Sequence, residues 1–371
     1  MAPDRKEPLP FRRSMLLGTL AWIAFRSKSA YALTDSSFAL IGNSNINRLG
    51  EAKGSEMAAI AFRRAQRVNV RAPMPMETIH VEGTLPHHGI YDQSNDAKQD
   101  WAAALDLALA GRLSANNQWL EQSAKIIAAW LPVYRPSFNP IDETELHRVF
   151  LAFDLLPIEV KFPMLPEFLK FSQDLAAGYI DRMHRIKGST ATNNWQSHRI
   201  KLATMAAFMS GDRTLIEAAR KSLAQQLSDN INSDGSVIDF YQRDALHYVV
   251  YDLEPLLMSA LAAKAHGEDW YQFKGSSGAG IKQALRWLEP YAMGIKSHDE
   301  FANTKIKFDR ERAAVNLTGF DGLWDPTGSA DTYAMAARLD TDFISLSHKL
   351  MPEFAGKIRP ASPWLHLTMP L

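Results

Sequence analysis

The segment that decides the fold is Trp195-Gln196-Ser197-His198-Arg199-Ile200-Lys201-Leu202-Ala203-Thr204-Met205-Ala206-Ala207-Phe208-Met209, which carries apolar side chains at helical spacing. Gly211-Asp212 follows it, and Leu215 to Leu227 then repeats the same spacing. A short break of this composition between two amphipathic segments is typical of two antiparallel helices joined by a tight turn. The region therefore predicts a helical hairpin.

The same spacing recurs along most of the chain, and the strict alternation typical of strands is rare. Further predicted helices are Trp101 to Leu113, Trp119 to Leu131, Glu145 to Leu156, Phe168 to Met183, Tyr241 to Ala263 and Ile281 to Met293. Ser94-Asn95-Asp96 is predicted to mark the start of the first of them. We predict an all-α fold, an α/α toroid in which antiparallel helix hairpins form an incomplete barrel. A solenoid is the alternative, but no fixed repeat period supports it.

The N-terminus has the order of an export signal. Arg12 and Arg13 precede an apolar run from Met15 to Phe25, and small residues lead up to Ala32. The run is too short for a membrane anchor, which needs roughly twenty apolar residues, and the paired arginines suit the twin-arginine route. We predict a signal peptide over residues 1–32, a single toroid domain over residues 33–371, and a periplasmic or secreted protein without stable membrane association after cleavage.

Composition excludes several classes of site and partner. The chain has no cysteine, so it has neither disulfides nor thiolate metal ligands. Its 41 Lys and Arg residues balance its 41 Asp and Glu residues, which gives no indication of a nucleic-acid partner. No tight group of His and carboxylate residues predicts a zinc site. We therefore predict no metal and no cofactor, and any polyanion must be bound by a local cluster of cations.

Two segments hold the candidate chemistry. If Tyr241 to Ala263 is one helix, Arg243, His247 and Tyr251 are spaced by four and share a face. Asn194 and His198 are also four apart in the second segment, just after Asn193. The alternative interpretation is structural: Asn193 or Asn194 caps a helix, and the histidines and Tyr251 are buried and hydrogen-bonded. Together the two segments supply amide, imidazole, guanidinium and phenol groups.

At these positions the chain resembles a known family. The pattern Ala245-Leu246-x-Tyr248-x-x-Tyr251-x-Leu253-x-Pro255-Leu256 is similar to the catalytic-tyrosine helix of alginate lyases of the mannuronate-cleaving type. Three further stretches agree in the same order: Tyr91-Asp92-Gln93-Ser94-Asn95-Asp96-x-Lys98 with a substrate-groove loop, Asn193-Asn194 with an asparagine-histidine motif, and Trp287-Leu288-Glu289-Pro290-Tyr291 with a helix of that composition. The resemblance spans Tyr91 to Tyr291.

The chain departs from the family pattern at three positions. Trp195 stands where the family has a histidine, and His198 comes one turn later. The family's arginine matches Asp244, whereas Arg243 lies one residue earlier, and Ile90 replaces a lysine. These changes indicate a divergent member, whose uronate and linkage can differ from those of alginate.

The resemblance implies a polysaccharide lyase that cleaves an anionic polyuronate by β-elimination. It assigns neutralisation of the substrate carboxylate to Asn194, with His198 and Arg243 as our additional donors, and proton transfer to Tyr251. His247 or His198 is the alternative base, because histidine titrates near neutral pH. We predict that Tyr248 is a subsite wall or a packing residue. The remaining predicted substrate-binding residues are His87, His88, Tyr91, Asn193, Trp195 and Arg199; His147-Arg148 is either a carboxylate site or an ion-pair site.

Two other functions remain open at this point. An inverting glycoside hydrolase needs two carboxyl groups with room for water between them, and Glu143, Glu145 and Asp239 are available without a diagnostic spacing. A non-catalytic periplasmic polyuronate-binding protein would need the cations and aromatics but no proton-transfer group. Lys305 to Gly328, rich in loop residues and cations, either covers a groove or forms an ordinary surface connection.

Overall fold

Helices provide the regular structure of residues 37–351 and 362–371, which are those that the computed structural model describes. The helices are α1 (Asn43–Arg48), α2 (Glu56–Val68), α3 (Tyr91–Ser114), α4 (Asn117–Trp130), α5 (His147–Leu155), α6 (Ile158–Lys161), α7 (Leu165–Arg185), α8 (Asn194–Ser210), α9 (Arg213–Asn230), α10 (Ile238–Arg243), α11 (Leu246–Ala265), α12 (Ile281–Ala292), α13 (Lys307–Ala314), α14 (Ala330–Leu339), α15 (Ile344–Leu350) and α16 (Pro363–Thr368). Strand pairing in this part of the chain is limited to two isolated bridges. The all-α prediction is confirmed.

The helices form two layers of a toroid. Helices α3, α5, α8, α11 and α14 contact one another in succession and form the inner layer, and each packs against outer helices that precede or follow it. Burial reflects this arrangement: α8 is buried at every residue from Gln196 to Met209, whereas the outer α9 buries only one face. The C-terminal α16 contacts both α2 and α14, so it links the two ends of the helix series.

The first turns of the inner helices meet at one end of the toroid. Consecutive inner helices are parallel because an outer helix returns the chain between them. Thr144, just before α5, is hydrogen-bonded to His198 in α8, and the His198 ring contacts the Tyr251 ring in α11. The segments that carry the candidate chemistry therefore converge.

The predicted helix Tyr241 to Ala263 is wrong at its N-terminal end. It is divided into α10 and α11 at Asp244, which has a left-handed backbone with φ of 51°. Long-range contacts hold this conformation: the Asp244 carbonyl accepts the Phe301 N–H at 2.8 Å, and its carboxylate accepts the Asn303 N–H at 2.7 Å. Because of this break, Arg243 does not continue the stripe formed by His247 and Tyr251.

The start of α3 was also predicted too late. Ser94, Asn95 and Asp96 lie inside the helix and do not precede it, because α3 begins at Tyr91. Ser94 is buried and its hydroxyl accepts the His80 N–H at 3.0 Å. Ser94, which suggested a helix cap, thus accepts a main-chain hydrogen bond from the segment that crosses in front of α3.

All described residues belong to one compact unit, Asp35–Leu371. No helix among them has both the length and the hydrophobicity needed to cross a bilayer. The export signal predicted over residues 1–32 lies outside the described residues.

Candidate active site

His198 and Tyr251 form the centre of the candidate site. Their ring centroids are 4.2 Å apart, and His198 is 3 % exposed. Its Nδ1 lies 2.7 Å from Thr144 Oγ1. Its Nε2 is buried and has no hydrogen-bond partner of acceptable geometry among the described residues. One ring nitrogen is thus held in place by Thr144, whereas the other is enclosed without such a hydrogen bond.

The surroundings of His198 favour the neutral imidazole. Burial, together with the positive charges of Lys201 and His147, holds the pKa of His198 well below its usual value. The main-chain carbonyl of Tyr251 acts weakly in the opposite direction. That carbonyl lacks the usual intrahelical donor because Pro255, four residues later in α11, has no N–H.

Tyr251 is held as a protonated phenol near neutral pH. Burial raises its pKa well above the usual value, and nearby Tyr248 and Glu145 raise it further. A hydrogen bond with the Thr144 side chain and the charge of Arg312 act in the opposite direction. A neutral imidazole therefore lies beside a phenol that still carries its proton.

A cavity of about 160 Å³ adjoins this pair. It is lined by Thr144, Glu145, His147, Arg148, His198, Lys201, Tyr251, Glu254, Pro255, Met258, Asp331, Met335, Ser362, Trp364 and Leu365. Burial lowers the pKa of Lys201 to about 8 and raises that of Glu254 to about 8. The lining therefore includes groups that exchange protons close to neutral pH. The sequence left His147-Arg148 as either a carboxylate site or an ion-pair site. Both residues line this cavity, and Arg148 is paired with Glu145 at 2.6 Å.

Arg243 contacts Tyr248, whereas the sequence suggested that it would supply the charge beside Tyr251. Its guanidinium lies 3.8 Å from the Tyr248 ring centroid, donates to the Tyr248 hydroxyl at 2.5 Å and forms an ion pair with buried Asp309. Arg312 donates to the same hydroxyl at 3.1 Å. Tyr248 is therefore more than a packing residue: its hydroxyl accepts hydrogen bonds from two guanidinium groups.

Residues 296–324, which we call the roof segment, cover the start of α11. The segment closes on itself through the Asp299–Leu323 bridge. Its Glu300 carboxylate accepts the Leu246 and His247 N–H groups at 2.7 and 3.1 Å. The His247 ring is 6.3 Å from Tyr251 and also contacts roof aromatics. Lys305 to Gly328 was expected either to cover a groove or to form an ordinary surface connection. This packing against the start of α11 supports the covering role.

Asn194 belongs to a second group of polar side chains, which we call the sealed cluster. Its members are Asn194, Ser197, Gln226, Asn230, Asp239 and Asp252, each 0 or 1 % exposed. Asn194 donates its main-chain and side-chain N–H groups to Asp239, and Asn230 donates to the same carboxylate at 3.1 Å. Ser197 donates to Asp252 at 2.6 Å. A direct contact of Asn194 with substrate stays a prediction.

The other predicted substrate-binding residues lie apart from the His198–Tyr251 pair. Asn193 caps α8 by accepting the Trp195 N–H, and Trp195 packs under the guanidinium of Arg199, which is 1 % exposed. His87 is paired with Asp92 at 2.8 Å on the surface, and neighbouring His88 is also exposed. Tyr91 lines a shallow hollow together with Asp92 and Asp96, whose charges disfavour a polyanion.

The carboxyl groups suggested for a hydrolase do not form an accessible pair. Glu143 is fully buried and accepts hydrogen bonds from Tyr134 and Tyr179. Asp239 is enclosed in the sealed cluster, and Glu145 is paired with Arg148. In residues 37–351 and 362–371, no group of three or more His, Cys, Asp or Glu side chains is arranged to hold a metal ion.

Sequence reasoning missed Thr144 and Lys201. Lys201 is 4 % exposed and donates to the Thr144 carbonyl and hydroxyl at 2.8 and 2.9 Å. Its position three residues after His198 was a usable signal, because residues three apart on a helix are neighbours. Thr144 has no local signal, since its partners come from distant segments.

Comparison with known proteins identifies the family. The sequence model of the alginate lyase family matches residues 48–299, more than half of the chain. The chain belongs to the alginate lyase family. This membership confirms the resemblance noted in the sequence and makes the protein a polysaccharide lyase.

Solved structures of alginate lyases share the fold of this lyase. The alginate lyase from Bacteroides ovatus has a TM-score of 0.64 at 15 % identity, covering 91 % of this chain and 100 % of that chain. Alginate lyase A1-III from Sphingomonas species A1 has a TM-score of 0.53 at 15 % identity, covering 70 % of this chain and 79 % of that chain. No curated protein matches the sequence significantly. At these identities the similarity establishes the toroid but not the roles of individual residues.

Proposed function

We propose that this lyase cleaves an alginate-like polyuronate by β-elimination, with His198 as the base and Tyr251 as the acid. His198 Nε2 takes the C5 proton, the electron pair of that bond forms the C4–C5 double bond, and the C4–O4 bond breaks. Tyr251 gives its phenolic proton to O4. The products are a new reducing end and an unsaturated uronate end.

The observation that carries this proposal is the contact of the His198 imidazole with the Tyr251 phenol beside one cavity. General acid–base catalysis needs one group able to accept a proton and another able to donate one. The pKa directions of His198 and Tyr251 match these two roles. The earlier alternative, in which Tyr251 is the base, would require a phenolate that the burial of its ring disfavours.

The substrate carboxylate must also be neutralised, because the C5 proton is weakly acidic beside an ionised group. Two guanidinium groups and one carboxylate lie together near the Tyr248 hydroxyl, from Arg243, Arg312 and Asp309. Their net charge is +1. Arg312 also acts on Tyr251 electrostatically. We therefore assign the carboxylate to this arginine pair, whereas the Asn194 amide that the family resemblance implies for this role is already donated to Asp239.

The choice of a polysaccharide substrate agrees with the relatives. A tyrosine-to-phenylalanine variant and a histidine-to-alanine variant of alginate lyase A1-III have each been crystallised with a tetrasaccharide. An anionic polymer outside the cytoplasm also suits the predicted export signal. We expect the uronate of this chain to be selected near Arg243 and Asp244, where the chain departs from the family pattern and contacts the roof segment.

The test is to incubate the purified protein with alginate, polymannuronate, polyguluronate and polyglucuronate, and to follow ultraviolet absorbance and reducing ends in parallel. We expect both signals to rise together with one or two of the polymers, because each elimination creates a conjugated double bond. Reducing ends without absorbance would indicate hydrolysis and contradict the proposal. Binding of a polymer without either signal would indicate a carbohydrate-binding protein.

A further inference from the structure

The hydroxyl group of Thr144 has three polar neighbours, two of them in α8 and one in α11. Lys201 Nζ in α8 donates to Thr144 Oγ1 at 2.9 Å, and His198 Nδ1 lies 2.7 Å from the same oxygen. The Tyr251 side chain in α11 is also hydrogen-bonded to Thr144. Lys201 is held in place by a second hydrogen bond to the Thr144 carbonyl at 2.8 Å.

The hydrogen-bonding capacity of a hydroxyl group restricts these contacts. A threonine hydroxyl has one proton to donate and two lone pairs, and a lysine ammonium can only donate. Lys201 therefore occupies one lone pair. One proton and one lone pair remain for His198 and Tyr251, so Thr144 donates to one of them and accepts from the other.

Only one of the two resulting arrangements prepares the site for reaction. If Thr144 donates to His198 Nδ1, Nε2 carries the imidazole proton. The Tyr251 hydroxyl then donates its proton in a hydrogen bond to Thr144 Oγ1. If Thr144 donates to the Tyr251 oxygen, His198 donates from Nδ1, so Nε2 is a free base. The phenolic proton of Tyr251 is then free for O4. The proton positions of the base and the acid are thereby coupled through one oxygen atom.

We propose that Thr144 and Lys201 are positioning residues of the elimination reaction: Lys201 fixes the Thr144 hydroxyl, and that hydroxyl sets the proton positions of His198 and Tyr251 together. This inference rests on the proposed function, since it concerns the base and acid of that reaction. Neither residue needs to touch the substrate, and both act through their hydrogen bonds.

The charge of Lys201 gives the arrangement a pH dependence. The charged and titratable groups that surround it are Glu145, Glu254, Arg148, His147, His198 and Asp331. Burial lowers the pKa of Lys201 to about 8. Above that pH the neutral amine of Lys201 can accept a hydrogen bond as well as donate one. The Thr144 hydroxyl can then donate its proton to Lys201, and it no longer fixes the proton positions of His198 and Tyr251. We therefore expect turnover to decline as pH rises through about 8.

The first experiment compares Thr144→Val with Thr144→Ser. Valine preserves the shape but removes the hydroxyl, whereas serine retains it. We expect Thr144→Val to lower kcat by about tenfold to a hundredfold, less than the full effect of losing general acid–base catalysis. KM should stay within about twofold. Thr144→Ser should recover most of kcat. Equal rates for the two variants would overturn the proposal.

The second experiment records the pH profile of kcat/KM for Lys201→Met. Lys201 lowers the pKa of His198, so its removal should raise that pKa. Since the reaction needs neutral His198, the acid limb of the profile should move to higher pH, and the decline above about pH 8 should disappear. A purely structural role would lower the profile at every pH without moving its limbs, and this result would contradict the inference. Melting temperatures of all variants show whether they are folded.

Failure of this inference can be distinguished from failure of the proposed function. If wild-type protein yields no unsaturated product from any polyuronate, the function itself is wrong. If the wild type is active and His198→Ala is inactive while Thr144→Val and Lys201→Met behave as wild type, elimination stands and the positioning role is excluded. The double variant Thr144→Val/Lys201→Met should be no slower than Thr144→Val alone, because both substitutions interrupt one chain of hydrogen bonds.

Discussion

One face of α8 serves two polar clusters of different character. Asn194 and Ser197 belong to the sealed cluster, whereas His198 and Lys201, one turn later on the same face, border the cavity beside Tyr251. The sealed cluster holds its carboxylates with amide and hydroxyl donors. The other group, which we call the cavity cluster, consists of Thr144, His198, Lys201 and Tyr251 and holds protons that can move between its members. Burial of polar side chains is common to both, so access to a cavity is what separates the proposed catalytic group from the structural one.

The two clusters also differ in how their buried atoms are satisfied. In the sealed cluster, Asn194 Oδ1, Gln226 Oε1, Asn230 Oδ1 and Asp252 Oδ2 have no hydrogen-bond partner among the described residues. Burial and the neighbouring charge of Asp239 raise the pKa of Asp252 well above its usual value, so its carboxyl group retains a proton that it can donate. We expect enclosed water molecules to donate hydrogen bonds to the remaining oxygens. In the cavity cluster, the buried atom without a partner among the described residues is His198 Nε2, the atom that we propose as the base.

The largest expected effect is that of Tyr251→Phe. This substitution removes one hydroxyl and preserves the ring, so the fold should persist while protonation of O4 fails. We expect kcat to fall by at least about a hundredfold, the usual scale of general acid–base catalysis, with a smaller change in substrate binding. Initial rates from ultraviolet absorbance and a melting curve measure the two effects. Near-normal turnover in the folded variant would remove Tyr251 from the chemistry.

The sealed cluster should act on stability rather than on turnover. Asp239→Ala leaves the donors of Asn194 and Asn230 without an acceptor, so the free energy of unfolding should fall by about 2 to 4 kcal/mol. Denaturant titration measures this change. Turnover should remain close to normal at a temperature at which the variant is folded. A loss as large as that of Tyr251→Phe would instead support the predicted role of Asn194 in catalysis.

Asp239→Asn provides the pH control for this comparison. Burial raises the pKa of Asp239 to about 6 in the folded state, above its value in the unfolded chain. Between these two values the folded state binds more protons, so this group's contribution to wild-type stability falls as pH rises through that range. Asparagine has no proton to lose in this range, so the fall in stability should be shallower in the variant. Parallel curves for the two proteins would mean that Asp239 does not titrate in this range.

Tyr248→Phe should have a smaller effect. Its hydroxyl accepts hydrogen bonds from Arg243 and Arg312, but Asp309 also holds Arg243 in place. We expect a loss of turnover below about tenfold, with most of the change in KM. The matched measurement is Tyr251→Phe under identical conditions. A larger loss in Tyr248→Phe would move the proton-transfer role to the hydroxyl beside the two arginines.

Added salt should have the smallest effect. A polyanion that meets local cations over several ångströms binds less tightly as the screening length shortens from about 10 Å at 0.1 M to about 3 Å at 1 M. KM should therefore rise with salt while kcat changes little. Steady-state kinetics at several sodium chloride concentrations test this, and a constant KM would indicate that the substrate is not held by charge.

Local periodicity was sufficient to predict the hairpins, because α8 and α9 have helical spacing and a glycine–aspartate turn between them. The break at Asp244 was not predictable in this way, since its left-handed backbone depends on Phe301 and Asn303, more than fifty residues later. His198 and Tyr251 could be proposed because their side chains have the required chemistry. Thr144 could not, since it lies 54 residues from His198 in sequence and no local pattern marks it.

The roof segment has a consequence for local stability. Phe301 and Phe320 pack with Ala245 and Tyr248 in a small apolar cluster that is separate from the main core. Apart from Trp324, which packs against the main core, the segment can therefore detach without exposing the interior of the toroid, and such partial opening costs less free energy than global unfolding. We expect amide hydrogens of α13 to exchange with deuterium well before those of α8. We expect such a brief local opening to let a long polymer approach Tyr248 and Tyr251 while the toroid remains folded.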